Sequence, residues 1–248
     1  MDSEPKGDRE SQEPLINEER IKEAEKYIEE EEGVTRRLSG PFETFITIMA
    51  VVMSLYHLYA AVGTVTTQIL RGVHVAFVFF LSFLVFPPLK RLKHRIAWYD
   101  IGLAFLGVST IVYMLVDFED FIYRAVTPTF WDKTFGIIFI LLVLEVVRRA
   151  TGWIMPFISL LFLVYAYMGP QLPSPWTHRG YDVERIVGHM YMTLEGIFGV
   201  PIDVSATFII LFTIYGAFLE FSGAGKFFID FSFAAMGRKP TGAGRTVT

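Results

Sequence analysis

The chain of 248 residues contains no cysteine, which excludes a disulfide framework, thiol catalysis and every thiolate metal site. Charge is scarce as well. Charged residues make up 19% of the chain, against about 25% in an average soluble domain. They are also unevenly spread: residues 1–40 hold 13 of the 26 acids and 7 of the 22 bases. The remainder is close to neutral, and no basic stripe offers phosphates a track, so nucleic acid is not an expected partner. Residues 1–40 also lack an apolar run of the kind a signal peptide carries, and none is expected to act as one. Catalytic signatures are missing in the same way. There is no HExxH for zinc and no GxxxxGK[ST] loop for a nucleotide. The nearest approach to an intramembrane serine nucleophile, Gly107-Val-Ser-Thr110, lacks the second glycine of a G-x-S-G turn. The expectation is a protein that is not an enzyme and holds no cofactor or metal.

What the chain has in quantity is apolar sequence, 52% of it, with 24 phenylalanines. Crossing about 30 Å of hydrocarbon takes about 20 apolar residues. Residues 42–62, 70–86, 98–116, 131–147, 153–168 and 204–221 read as six such windows. Gly40-Pro41, Pro87-Pro88, Asp117, Arg148-Arg149 and Gly169-Pro170 punctuate them. The expected fold class is all-α: a polytopic membrane protein of about six transmembrane helices.

Basic residues set the orientation. With a cytoplasmic N-terminus, Arg36, Arg37, Lys90, Arg91, Lys93, Arg95, Arg148, Arg149, Lys226, Arg238, Lys239 and Arg245 fall inside, and Arg71, Arg124, Lys133, Arg179 and Arg185 outside. The acidic tail carries one helical pattern over residues 17–32, Ile21, Ala24 and Ile28 with Tyr27 beside them. Anionic lipid would repel it, so a solvated helix lying off the bilayer is expected, with a docking helix for a partner as the alternative. Residues 186–200 are apolar but interrupted by Glu195, Gly196 and Gly199. They are expected to form an interfacial or re-entrant segment, because irregular backbone at membrane depth needs protein or water around it. Residues 226–236 read as a short helix on the cytoplasmic surface, with Phe227, Phe228, Phe231, Ala234 and Ala235 near one face.

Charged residues in or near membrane spans are functional suspects. Glu145 has Arg148 at i+3 and Arg149 at i+4, the favourable order for helix ion pairs. A structural ion pair of Glu145, Arg148 and Arg149 is expected, with an ion relay as the alternative. Glu43, Asp100 and Glu220 lie close to span ends, where termination or snorkelling accounts for them. His57 and His74 lie within spans one and two; hydrogen-bonded packing is the expected role, and proton carriage the alternative.

Three stretches resemble a known family: Thr193-Leu-Glu-Gly-Ile-Phe-Gly-Val-Pro201, Val204-Ser-Ala-Thr-Phe-Ile-Ile-Leu-Phe212, and Tyr215-Gly-Ala-Phe-Leu-Glu-Phe-Ser-Gly-Ala-Gly-Lys-Phe-Phe-Ile-Asp230. They are similar to the junction region of fused permeases of tripartite ATP-independent periplasmic (TRAP) transporters, in the branch that works with TAXI-type binding proteins. Arg36-Arg-Leu-Ser-Gly40 before the first span extends the resemblance. It implies an acidic cytoplasmic tail (1–40), a four-span small-subunit-like part (41–150), a linking transmembrane helix with a periplasmic loop (151–190), and the start of the large permease subunit (191–248). It further implies a bacterial or archaeal cytoplasmic (inner) membrane, and import of small organic acids coupled to a Na+ or H+ gradient. The partners implied are membrane lipid, a periplasmic TAXI-type substrate-binding protein and the remainder of the large subunit. Family members carry the cation and substrate in two hairpins of Gly-Ser-Ser type, and no such motif lies in this sequence. The chain is therefore expected to be an N-terminal fragment that supplies scaffold helices. A free-standing membrane anchor or assembly subunit is the alternative.

Residues 171–192 form the largest segment expected on the outer face. Trp176, Arg179, Tyr181, Asp182 and Arg185 there are the candidate partner-docking residues, with Glu184 a further orienting charge, since aromatics and arginine tend to carry interface energy. Anchoring of Trp176 and Tyr181 at the membrane interface is the competing account.

Overall fold

The computed structural model describes residues 35–36, 38–89, 92 and 95–236. The expected tail helix at 17–32, the basic residues Lys90, Arg91 and Lys93, and the segment after 236 lie outside the described residues. Within them every regular element is helical: α1 (Pro41–Val62), α2 (Thr67–Val85), α3 (Trp98–Val116), a short α4 (Phe118–Tyr123), α5 (Phe130–Thr151), α6 (Ile154–Met168), a one-turn α7 (Val183–Val187), α8 (Val200–Phe221) and α9 (Ala224–Met236). Five of them, α1, α2, α3, α8 and α6 with its following turn, are long and apolar enough to cross a membrane. The chain is an all-α polytopic membrane protein.

Local chemistry explains most of the boundaries. α1 begins at Gly40-Pro41, where proline in the first turn lacks an N–H that would have gone unsatisfied. The prolines at 87 and 88 follow the end of α2. α5 opens on a reciprocal cap. The Thr129 hydroxyl accepts from the Asp132 N–H at 3.3 Å, and the Asp132 carboxylate accepts from the Thr129 N–H at 2.9 Å and its hydroxyl at 2.7 Å. α5 fills the place of the expected fourth window and extends it at both ends to 22 residues. It is not among the five most apolar helices because Asp132 and Lys133 sit in its first turn, and Glu145, Arg148 and Arg149 in its last two.

The core is a seam of α2, α3 and α5. Phe79 and Phe83 of α2, Ala104, Ile111 and Met114 of α3, and Phe139 and Leu142 of α5 are buried in it. α1, α6 and α8 flank the seam and keep apolar side chains exposed along most of their length, as suits helices that face lipid.

Residues 183–199 do not lie on the surface of this seam; they enter it. α7 passes directly into a wide π-turn (Gly188–Met192), and Tyr191, Met192 and Phe198 join the core. Phe198 stacks on Phe139 with ring centroids 5.2 Å apart, while Tyr191 sits 4.9 Å from Phe139 and 5.2 Å from Phe121. Phe139 is nine residues into α5, about 13 Å from its start, which is near the middle of a hydrocarbon core about 30 Å thick. Residues 183–199 thus have protein around them, as irregular backbone at membrane depth requires. Polar contacts hold them there: the Tyr191 hydroxyl donates to the Thr110 carbonyl of α3, Gln68 Nε2 reaches the Met192 carbonyl at 3.4 Å, and Arg71 donates to the Phe198 carbonyl at 2.6 Å.

Close approach fixes two glycines. A Cβ on Gly188 would collide with the Ala125 carbonyl oxygen, which is backbone, and one on Gly136 would collide with the Val187 side chain. Gly188→Ala is therefore expected to lower stability by about 1–3 kcal/mol. Gly216→Ala, at a position with open space around it, should be neutral or slightly stabilising. Thermal unfolding of the two variants in the same detergent checks this; equal midpoints would contradict the tight insertion.

Candidate functional site: the charged ends of the bundle

Polar chemistry gathers at the two ends of the seam. At the first end, Arg36, Asp100, Glu145, Arg148 and Arg149 form one continuous cluster. The Arg36 guanidinium and the Asp100 carboxylate are paired, and both side chains are fully shielded from solvent. Arg149 bonds the other Asp100 oxygen at 2.7 Å and Glu145 Oε1 at 2.7 Å. Arg148 grips Glu145 through two nitrogens, at 2.7 and 2.8 Å. The three arginines also donate to the carbonyls that end α2 and the turn beyond it: Arg36 to Phe83 at 3.1 Å and Leu84 at 2.8 Å, Arg149 to Phe86 at 3.3 Å, and Arg148 to Pro88 at 3.2 Å. The Phe83 and Leu84 carbonyls have no helical partner of their own and lie at the negative end of the α2 dipole. Arg149 further lies over the Phe83 ring, 4.9 Å from its centroid, and Arg148 over the Trp153 ring at 5.1 Å.

The structure thus brings Glu145, Arg148 and Arg149 together and adds Asp100 and Arg36, which sequence spacing did not join to them. Asp100 does serve the helix end, accepting from the Ala97 N–H at 3.3 Å, but it does not snorkel. The first turn of α3 lies against α2 and α5, so its carboxylate faces protein and not water. A carboxylate between two guanidiniums in a dry site is held by its partners; removing it strands two buried cations.

The opposite end has three smaller pairings. Asp132 is fully buried and accepts from the Tyr113 hydroxyl at 2.8 Å and from Arg124 at 3.1 Å, while Arg124 also bonds Asp117 at 3.0 Å. These hydrogen bonds raise the Arg124 pKa above its ordinary value, that to Asp132 most. Arg71 of α2 meets Asp203 of α8 at 2.8 Å. Lys133 meets Glu184 at 2.9 Å, and that hydrogen bond holds the Glu184 carboxyl below the usual carboxylate range. Each pairing reaches from one helix to another element, and each crosses a sequence gap that no local pattern bridges. The only sequence signal was sign: Arg71 and Asp203 both lie near expected outer span ends and carry opposite charge.

The five candidate docking residues lie at this second end and are exposed. Three of them are neighbours. Asp182 caps α7 by accepting from the Arg185 N–H at 2.9 Å, and the Arg185 guanidinium lies over the Tyr181 ring at 5.8 Å. Trp176 stands apart in the preceding loop, its carbonyl held by the Tyr165 hydroxyl at 3.2 Å. Arg179 points to solvent with no side-chain hydrogen bond among the described residues. A shallow cleft of about 360 Å³ adjoins the group, lined by Asp182, Glu184, Arg185, His189 and Thr193 among others.

The first-end cluster makes an ordered prediction. Asp100→Ala should cost about 3–5 kcal/mol, because Arg36 and Arg149 are left buried without their carboxylate. Glu145→Ala should cost about 1 kcal/mol, since that carboxylate is partly open to solvent. Chemical unfolding of both variants in micelles gives the comparison; Glu145→Ala costing more than Asp100→Ala would contradict it.

Comparison with known proteins places these features. No curated protein and no solved structure matches the chain. Residues 138–248 match the family model described as "Tripartite ATP-independent periplasmic transporter, DctM component". The matched region begins inside α5 and takes in α6, the loop after it, the inserted segment, α8 and α9. It covers a little under half of the sequence, and it supports a membrane permease component of the TRAP transporter family.

Proposed function

We propose that this chain is part of the permease of a secondary, ion-gradient-driven TRAP-type transporter that imports small organic acids handed over by a periplasmic TAXI-type binding protein. The observation that carries this reading is the family match over residues 138–248, which falls on the segment that enters the bundle and on the helix that leaves it. Broken helices that line protein instead of lipid are a feature of transporter architecture. The chain supplies scaffold helices in a bacterial or archaeal cytoplasmic membrane, and the remainder of the large subunit supplies the site for solute and for the coupling Na+ or H+. The arginine-rich end lies at the cytoplasm, in keeping with the excess of basic residues there, and the end with Trp176 and Arg185 faces the binding protein.

On this reading Arg179 and Arg185 steer the binding protein, and Trp176 and Tyr181 give it contact area. Arg179 and Arg185 are both exposed, so charge reversal is expected to leave folding intact. In proteoliposomes of the full permease, uptake should require both an ion gradient and the binding protein. Arg179→Glu combined with Arg185→Glu should raise the binding-protein concentration for half-maximal uptake about tenfold and flatten its salt dependence. Uptake without a binding protein would contradict the function. A double variant that needs no more binding protein than the unaltered permease, at equal expression, would remove these charges from the docking face.

A further inference from the structure

The permease reading leaves unused a buried chain of polar groups where α1, α2 and α8 meet. His57 of α1 and His74 of α2 are both almost fully shielded. His57 Nδ1 lies 2.7 Å from the Met53 carbonyl oxygen one turn back. Its other nitrogen, Nε2, lies 3.0 Å from His74 Nδ1, and His74 Nε2 lies 3.1 Å from Ser205 Oγ of α8. Ser205 opens the π-turn Ser205–Ile209 within α8, and such turns recur at functional positions in helices.

Elementary donor and acceptor counting orients the whole chain. A carbonyl oxygen only accepts, so His57 Nδ1 carries a hydrogen. A neutral imidazole holds one hydrogen, which leaves His57 Nε2 as an acceptor and makes His74 Nδ1 the donor to it. His74 Nε2 is then an acceptor, and the Ser205 hydroxyl donates to it. One backbone carbonyl thus fixes both rings as neutral Nδ1–H tautomers.

The same counting gives one place for an added proton. On His74 Nε2 it keeps every contact: that N–H donates to Ser205 Oγ, the serine hydrogen turns to a carbonyl in the preceding helical turn, and the hydrogen between His74 Nδ1 and His57 Nε2 is shared by the two rings. Protonating both rings would aim two N–H groups at each other across 3.0 Å. Beyond His57 the Met53 carbonyl takes no proton, so the chain stores a proton and does not conduct one.

The groups that face this site are few. On α1, the Tyr56 ring packs edge-on to His57 with centroids 5.3 Å apart, and its hydroxyl is buried without a partner among the described residues. On α2, Arg71 lies one turn from His74 and is paired with Asp203, the carboxylate that α8 brings to this interface. Asp100, Glu145 and Arg149 lie at the other end of α2, in the cluster described above.

We propose that His57, His74 and Ser205 form a single-proton site that fastens α8 to α1 and α2, with the proton taken up at His74 Nε2 and accepted by Ser205. Nitrogen NMR of the full chain in lipid nanodiscs, 15N-labelled at histidine and assigned with His57→Asn and His74→Asn, tests it. At alkaline pH both rings should show the Nδ1–H pattern. On acidification the two rings together should take up one proton, giving one imidazolium for the pair with a hydrogen on His74 Nε2. Ser205→Ala should need more acid to form that imidazolium, and Ser205→Thr, which keeps the hydroxyl, should titrate like the unaltered chain. An Nε2–H ring at alkaline pH, two imidazoliums together, or a Ser205→Ala titration identical to the unaltered chain would each overturn the proposal. If Ser205→Ala does not fold, the tautomers of the unaltered chain and the Ser205→Thr titration decide it.

Discussion

The Asp100 carboxylate, shielded from water between Arg36 and Arg149, is the interaction on which the rest of the arrangement depends. It ties four separate pieces of chain into one unit: Arg36, the end of α2 with its carbonyls, the first turn of α3, and the last turns of α5. A buried ion pair adds little net stability when compared with a well-packed apolar alternative. Its value here lies in specification. Apolar helices slide past one another in lipid with no hydrophobic penalty. A carboxylate that must meet two guanidiniums, each also reaching for particular carbonyls, permits only one depth and one rotation for α2, α3 and α5.

With that end pinned, the other end of the seam can open far enough to admit residues 183–199. The inserted segment is held by shape and by polar contacts together. Gly136 and Gly188 let backbone and side chains approach to contact distance. Tyr191 and Phe198 fill the space between α2, α3 and α5, and Gln68, Arg71 and Thr110 close its hydrogen bonds. The aromatic contacts contribute about 0.5–1.5 kcal/mol each beyond area burial. α8 then leaves beside α2, to which the Arg71–Asp203 pair ties its first turn.

The spans were legible because hydropathy is a local property; boundaries for α1, α3 and α6 moved by a residue at most, and α2, α5 and α8 gained a few residues at ends where polar side chains are satisfied by protein. The i, i+4 spacing of Glu145 and Arg149 was legible for the same reason. The helix-end role of Asp100 was legible, but its burial was not: its partners lie 64 and 49 residues away, and nothing in its neighbourhood distinguishes a snorkelling carboxylate from a buried one. The interrupted composition around Glu195, Gly196 and Gly199 did announce an irregular segment. Its depth depends on space left by Gly136 on a different helix. The histidine chain combines residues from three helices, and a π-turn, invisible in the sequence, completes it.

The central claim is that the Asp100 cluster marks the cytoplasmic end of the bundle and that the inserted segment is reached from the outside. The chain's lack of cysteine makes a direct measurement possible. Single cysteines at Thr127, at Ser174 and at Arg95, all exposed positions, can be probed on intact cells with a maleimide that does not cross the membrane. The account predicts labelling at Thr127→Cys and Ser174→Cys, and labelling of Arg95→Cys only after the membrane is permeabilised. Labelling of Arg95→Cys on intact cells, with the other two silent, would contradict it.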